Sequence, residues 1–191
     1  MCEKTPADAL KDELFYSPEH AAFTCEDGEI ETADSFCGDY IDFLNRCKTE
    51  REVAAYVKAL AEENGFIPFD PDGSYEPGDK VYYDNRGKAL ILCVFGKQSL
   101  KSGAKIVASH IDSPRLDLKP NPLYEDTDLA LFKTHYYGGI KKYQWTAIPL
   151  SLHGVICRKD GTKVTVRLGE DEGDPQFVVT DLLPHLDRQQ A

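Results

Sequence analysis

The sequence predicts an α/β fold, helical at first and strand-rich later. Two patterns carry this. Apolar residues recur at helical spacing between Asp34 and Leu60, and branched apolar runs bounded by turn residues begin at Lys80. A third observation divides the chain: from Pro114 onward only short strands and turns follow, which suggests a second domain.

The helices come first. Asp34 to Arg46 sets Phe36, Tyr40, Phe43 and Leu44 on one apolar stripe. Thr49-Glu50-Arg51-Glu52 has the form of a capping box, in which Glu52 reaches back to the N-cap amide. The helix it starts has Val53, Val57 and Leu60 as its expected buried face and ends at Gly65, where a left-handed residue is needed. Pro68 to Gly78, rich in Pro, Gly and Asp, is a loop. Lys80 to Asp84 and Lys88 to Phe95 are strands joined through Asn85-Arg86-Gly87 as a hairpin. Ala104 to Ser109, of small and branched residues, is expected to be a buried strand. The later strands are Arg115 to Lys119, Leu129 to Tyr136, Leu150 to Arg158 and Lys163 to Leu168, the last two joined by Lys159-Asp160-Gly161. Prolines cluster between Leu116 and Pro122, and the domain boundary is placed there.

Composition excludes several classes of function. The 191 residues suffice for one core, or a domain and part of another. Asp and Glu number 33 against 22 Lys and Arg, a net charge of −11, so a nucleic-acid partner is not expected. The longest apolar runs, such as Ala89 to Phe95, have strand length, so no membrane partner is expected. Met1 to Glu13 lacks the basic and apolar regions of a signal peptide, and a cytoplasmic location is expected. None of the six cysteines forms a C-x-x-C pair, so neither a zinc ribbon nor a redox dithiol is indicated. Cys93 and Cys157 sit among apolar residues and are expected in the core, and without a secretion signal a disulfide framework is not expected.

The segment bearing chemistry is Ile106-Val107-Ala108-Ser109-His110-Ile111-Asp112-Ser113-Pro114. An apolar run ends in His-x-Asp and turns at Ser-Pro, and strand ends are where α/β proteins place ligands. Two residues apart on an extended backbone, His110 and Asp112 point to one side. A neutral imidazole is a good zinc ligand, and a carboxylate can hold its other nitrogen. A His-x-Asp alone is more often a capped turn or a surface pair than a metal site.

The run Ser109 to Pro114 resembles the His-Thr-Asp-Ser-Pro signature of aspartyl aminopeptidases. The likeness continues through Lys119-Pro120-Asn121-Pro122-Leu123-Tyr124, Thr134 to Ile140, Trp145 to Gly154 and Asp181 to Leu186, and looks closest to the bacterial branch. The resemblance implies a cytosolic metallopeptidase that removes an N-terminal residue, usually Asp or Glu, from peptide substrates. It implies two metal ions, typically Zn2+ with other divalent metals possible, and a large homo-oligomer. It implies an α/β sandwich interrupted by a smaller strand-rich assembly domain. Residues 1–116 are then the N-terminal part of the catalytic domain and residues 117–191 the first, incomplete part of the inserted domain. By motif, His110 matches a metal ligand and Asp112 the aspartate that orients the catalytic metal site. The bridging aspartate, the Glu-Glu pair, a later aspartate and a final histidine lie further along in such proteins. This chain is therefore expected to be a fragment, inactive by itself. Relatives offer a cross-subunit histidine where Gln189 stands here.

Other candidates have plainer readings. His135 either lines a substrate pocket or marks a strand-to-turn junction; His153 is a satisfied core or interface histidine; His185 caps a turn; His20 lies on the surface. Lys141-Lys142 either faces acidic substrates or is a solvated pair, and no substrate-binding residue is assigned. Two functions compete with a truncated aminopeptidase: a non-catalytic assembly or regulatory module, and one chain of a two-chain enzyme.

Overall fold

The computed structural model describes residues 5–181, 183 and 185. Leu182, Pro184, Leu186 and Gln189 of the carboxyl-terminal run, and Cys2, lie outside the described residues. Two compact units divide between Arg46 and Cys47.

In the first unit, α1 (Pro6–Leu14) opens in a capping box: Thr5 Oγ1 accepts from the Asp8 amide and Asp8 Oδ2 accepts from the Thr5 amide. Proline at its start has no amide to leave unpaired. The expected stripe lies on α2 (Glu29–Arg46), where Tyr40 stacks on Phe43 at 6.0 Å. Phe36, Tyr40 and Leu44 on that stripe are exposed.

The second unit begins with α3 (Glu50–Glu63), and its capping box forms as the sequence implies: Thr49 Oγ1 accepts from the Glu52 amide and Glu52 Oε2 accepts from the Thr49 amide. Gly65 follows the helix at φ 81°. The buried face differs from expectation. Val53, Ala54 and Ala61 are buried and Val57 is half-buried, whereas Leu60 is exposed. The packed line is centred on Ala54, Val57 and Ala61, and small residues there let strands approach closely; Leu60 falls at its edge.

Those strands are β1 (Ile67–Pro68), β2 (Lys80–Asp84) and β3 (Leu90–Val94), in the order β1-β2-β3, with β1 parallel and β3 antiparallel to β2. Val81 and Tyr82 are buried, and the Tyr82 hydroxyl donates to Glu62 Oε1 at 2.6 Å. That bond pushes the Tyr82 hydroxyl up to about 12. The hairpin turns through Arg86 and Gly87, both at positive φ, as a two-residue turn matching strand twist requires.

Two expectations fail here. Ala104 to Ser109 lies in no strand, and Ile106 and Val107 are 85% and 99% exposed. Its pattern is that of a buried strand, but a strand exists only against a hydrogen-bonding neighbour, and none pairs with it among the described residues. Cys93 and Cys157 are exposed, not core; Cys47 is buried instead. Cys93 lies on β3, which pairs only with β2 among the described residues, so the apolar residues around it remain uncovered.

The rest is two antiparallel ribbons. β4 (Arg115–Asp126) pairs with β5 (Leu129–Tyr137), and β6 (Leu152–Cys157) with β7 (Lys163–Leu168). β4 runs through the proline cluster, and its register shifts between Leu118 and Leu123. Pro120 and Pro122 lack the amides a regular ladder needs. No helix among the described residues is long and apolar enough to cross a membrane.

Candidate metal-ligand site

The Ser109-to-Pro114 segment leads directly into β4, and the end of β5 lies beside it. Gly138, at φ 83°, follows β5; a Cβ there would meet Pro114 at 3.4 Å. A glycine at this point supplies both the left-handed turn and the close approach.

The structure brings His110 and Asp112 together. His110 Nδ1 is 2.9 Å from the Asp112 carbonyl oxygen and 3.3 Å from Asp112 Oδ1. Both partners are acceptors, so Nδ1 carries the proton and donates. The Nε2 lone pair is left for another partner, on a side chain 83% exposed. The other Asp112 oxygen, Oδ2, accepts from the Tyr137 hydroxyl at 2.6 Å. That bond holds the Asp112 carboxyl below its ordinary range and pushes the Tyr137 hydroxyl above its own. Arg115 lies over the Tyr137 ring, 4.1 Å from its centroid, and donates through Nε to Asp117 Oδ1 at 2.7 Å. Arg115 and Tyr137 are register partners in the first pair of the β4–β5 ladder.

Sequence reasoning named His110 and Asp112 but not Tyr137 or Arg115. Tyr137 lies 25 residues from Asp112, and only the strand register brings it there. His153 is satisfied, as expected, by partners the sequence did not reveal. Its side chain is 7% exposed, with Nδ1 2.8 Å from Glu52 Oε1 and Nε2 3.0 Å from Glu170 Oε1. Glu52 therefore caps α3 with one oxygen and meets His153 with the other. His135 is exposed and donates through Nδ1 to the Tyr136 carbonyl at 3.0 Å. Lys142 lies 4.9 Å from the Tyr136 ring centroid.

A catalytic zinc takes about three protein ligands. No group of three or more His, Cys, Asp or Glu side chains suited to a metal occurs among the described residues. His110 fits one ligand position and Asp112 the carboxylate behind it; the described residues alone do not complete a site. Next to the motif opens a cleft of about 1070 Å³, walled by Val53 and Val57 of α3, by Ile91 and Cys93 of β3, and by Ile106 and Ile111.

Residues 43–191 match the model of a family described as aminopeptidase I zinc metalloprotease (M18). The chain is 50% identical over 169 residues to a probable M18 family aminopeptidase 1 of Clostridium acetobutylicum, a match covering 86% of this chain and 36% of that protein. It is 47% identical over 161 residues to the Thermotoga maritima protein so described, covering 84% of this chain and 36% of the relative. Among solved structures, aminopeptidase I from Borrelia burgdorferi B31 superposes with a TM-score of 0.82 at 41% identity, over 87% of this chain and 41% of that one. An M18 aminopeptidase from Thermotoga maritima gives 0.81 at 45% identity, over 93% of this chain and 38% of the other. The S. cerevisiae mApe1 dodecamer, at a TM-score of 0.61 and 21% identity, shares the fold. The chain thus spans about a third of the length of the curated relatives it matches.

Proposed function

The chain belongs to the aminopeptidase I zinc metalloprotease (M18) family, and from that premise we propose that it supplies His110 and Asp112 to the active site of a zinc aminopeptidase. The observation that carries this is the geometry of His110: Nδ1 is committed to Asp112, and Nε2 is free on an exposed face. This tautomer is the one a histidine needs to ligate through Nε2, and the carboxylate behind it orients the ring and raises its basicity. A zinc ion held there would supply a water of lowered pKa as nucleophile. In this reading His110 would hold one of two Zn2+ ions through Nε2, Asp112 would keep the proton on Nδ1, and the remaining ligands would come from outside the described residues.

Peptides are the substrate class, and an acidic first residue is the preferred one. Lys141 and Lys142 would favour that charge, although Lys142 already faces Tyr136. The full enzyme works in the cytoplasm as a homo-oligomer. Residues 1–116 belong to its catalytic domain and 117–191 begin an inserted assembly domain. Among the described residues the latter part is two antiparallel ribbons without an α-helix, which supports that division.

A second reading, that another chain completes the site, is favoured by the absence of three clustered donors among the described residues. The test is hydrolysis of aminoacyl p-nitroanilides by the intact gene product. His110→Ala is expected to lower kcat/KM by about 100-fold or more, with loss of bound zinc. Unchanged zinc content and rate would refute the assignment. If the intact gene product binds zinc only when mixed with a second polypeptide, the two-chain reading holds.

A further inference from the structure

We propose that Tyr137 is a positioning residue for His110, acting through Asp112, and that Arg115 in turn fixes Tyr137. The inference rests on the assignment of His110 as a metal ligand and adds what holds that ligand's support in place.

The need for such a residue comes from the backbone. Asp112 sits in a segment outside any strand, and its side chain is one-third exposed. A carboxylate on such a segment turns about its terminal torsion unless both oxygens are engaged. One oxygen lies 3.3 Å from His110 Nδ1. The other takes the Tyr137 hydroxyl at 2.6 Å, a short bond of the charge-assisted kind. Tyr137 is anchored where Asp112 is not. It ends β5, paired in register with Arg115 of β4. The Arg115 guanidinium lies on its ring, and the Arg115–Asp117 bond keeps the guanidinium there. Gly138 and Pro114 bring the two segments close enough for the hydroxyl to reach. The ladder thus fixes Arg115 and Tyr137, Tyr137 fixes one oxygen of Asp112, and the other oxygen faces His110.

The experiment is a mutant cycle on the intact gene product, reading zinc affinity by chelator competition. Tyr137→Phe removes one hydroxyl from a residue 40% exposed and leaves the ring under Arg115. It is expected to weaken zinc binding about 10-fold. Asp112→Ala is expected to weaken it at least as much, and the double variant no further than Asp112→Ala alone, because Tyr137 acts only through Asp112. Nitrogen-15 shifts of the His110 ring, metal-free, are expected to show the Nδ1–H tautomer in the wild type and a tautomer mixture in Tyr137→Phe. Zinc affinity unchanged in Tyr137→Phe overturns the proposal, as do losses that multiply in the double variant. Should Tyr137→Phe fail to fold, the same cycle with Arg115→Met decides. If His110→Ala loses zinc while Tyr137→Phe keeps it, only this inference falls. If His110→Ala keeps zinc, the ligand assignment falls and takes this inference with it.

Discussion

Among the described residues two histidines meet carboxylates, with opposite chemical consequences. His110 commits one nitrogen and keeps the other free. His153 commits both, to Glu52 and Glu170. Burial pushes the Glu52 carboxyl up, but hydrogen bonds from His153, the Lys48 amide and Thr49 outweigh it and leave it below its ordinary 4.5. Ser151 first and His153 second hold the Glu170 carboxyl down as well. Carboxyls depressed in the folded state stabilise fully above their ordinary value, and that contribution is lost as pH falls through the lower folded-state values. His153→Leu, leaving both carboxylates without this donor, is expected to destabilise the intact gene product by about 2 kcal/mol at neutral pH. Thermal unfolding against pH checks this: the gap from wild type should be open at pH 7 and narrow as pH falls below 4.5. A gap that persists at pH 3, or is absent at pH 7, would show that the contacts contribute nothing.

At the scale of elements, whatever is encoded within a few residues was legible. The capping box at Thr49 and Glu52 is a local motif, and it forms. The Asn85-Arg86-Gly87 turn is equally local, with both left-handed residues where the hairpin needs them. What was illegible depends on partners far along the chain. Ala104 to Ser109 has a strand's composition, but pairing is supplied by a neighbour, and none lies among the described residues. The prolines at 120 and 122 remove two amides from β4, and the ribbon continues past them with a register shift, which depends on the long antiparallel partner that the local sequence does not name. The candidate site divides in the same way. His110 and Asp112 could be named from a short motif. Tyr137 reaches Asp112 only through the β4–β5 register, and Glu52 reaches His153 across 101 residues.

Across the whole molecule the uncovered apolar surface is the dominant feature. Ile91, Val94, Ile106 and Val107 are each more than half exposed around the cleft beside α3. Burying one such side chain contributes roughly 1.5–3 kcal/mol, so covering this face would be strongly favourable. The 191-residue chain by itself is therefore expected to bind a hydrophobic dye and to self-associate in light scattering; a monodisperse monomer that melts cooperatively would contradict this. The central claim concerns His110, and anomalous X-ray diffraction from crystals of the zinc-loaded intact gene product tests it most directly. The account predicts an anomalous peak about 2.0–2.1 Å from His110 Nε2, with Nδ1 still on Asp112. A zinc bound elsewhere, with His110 Nε2 facing only solvent, would contradict it.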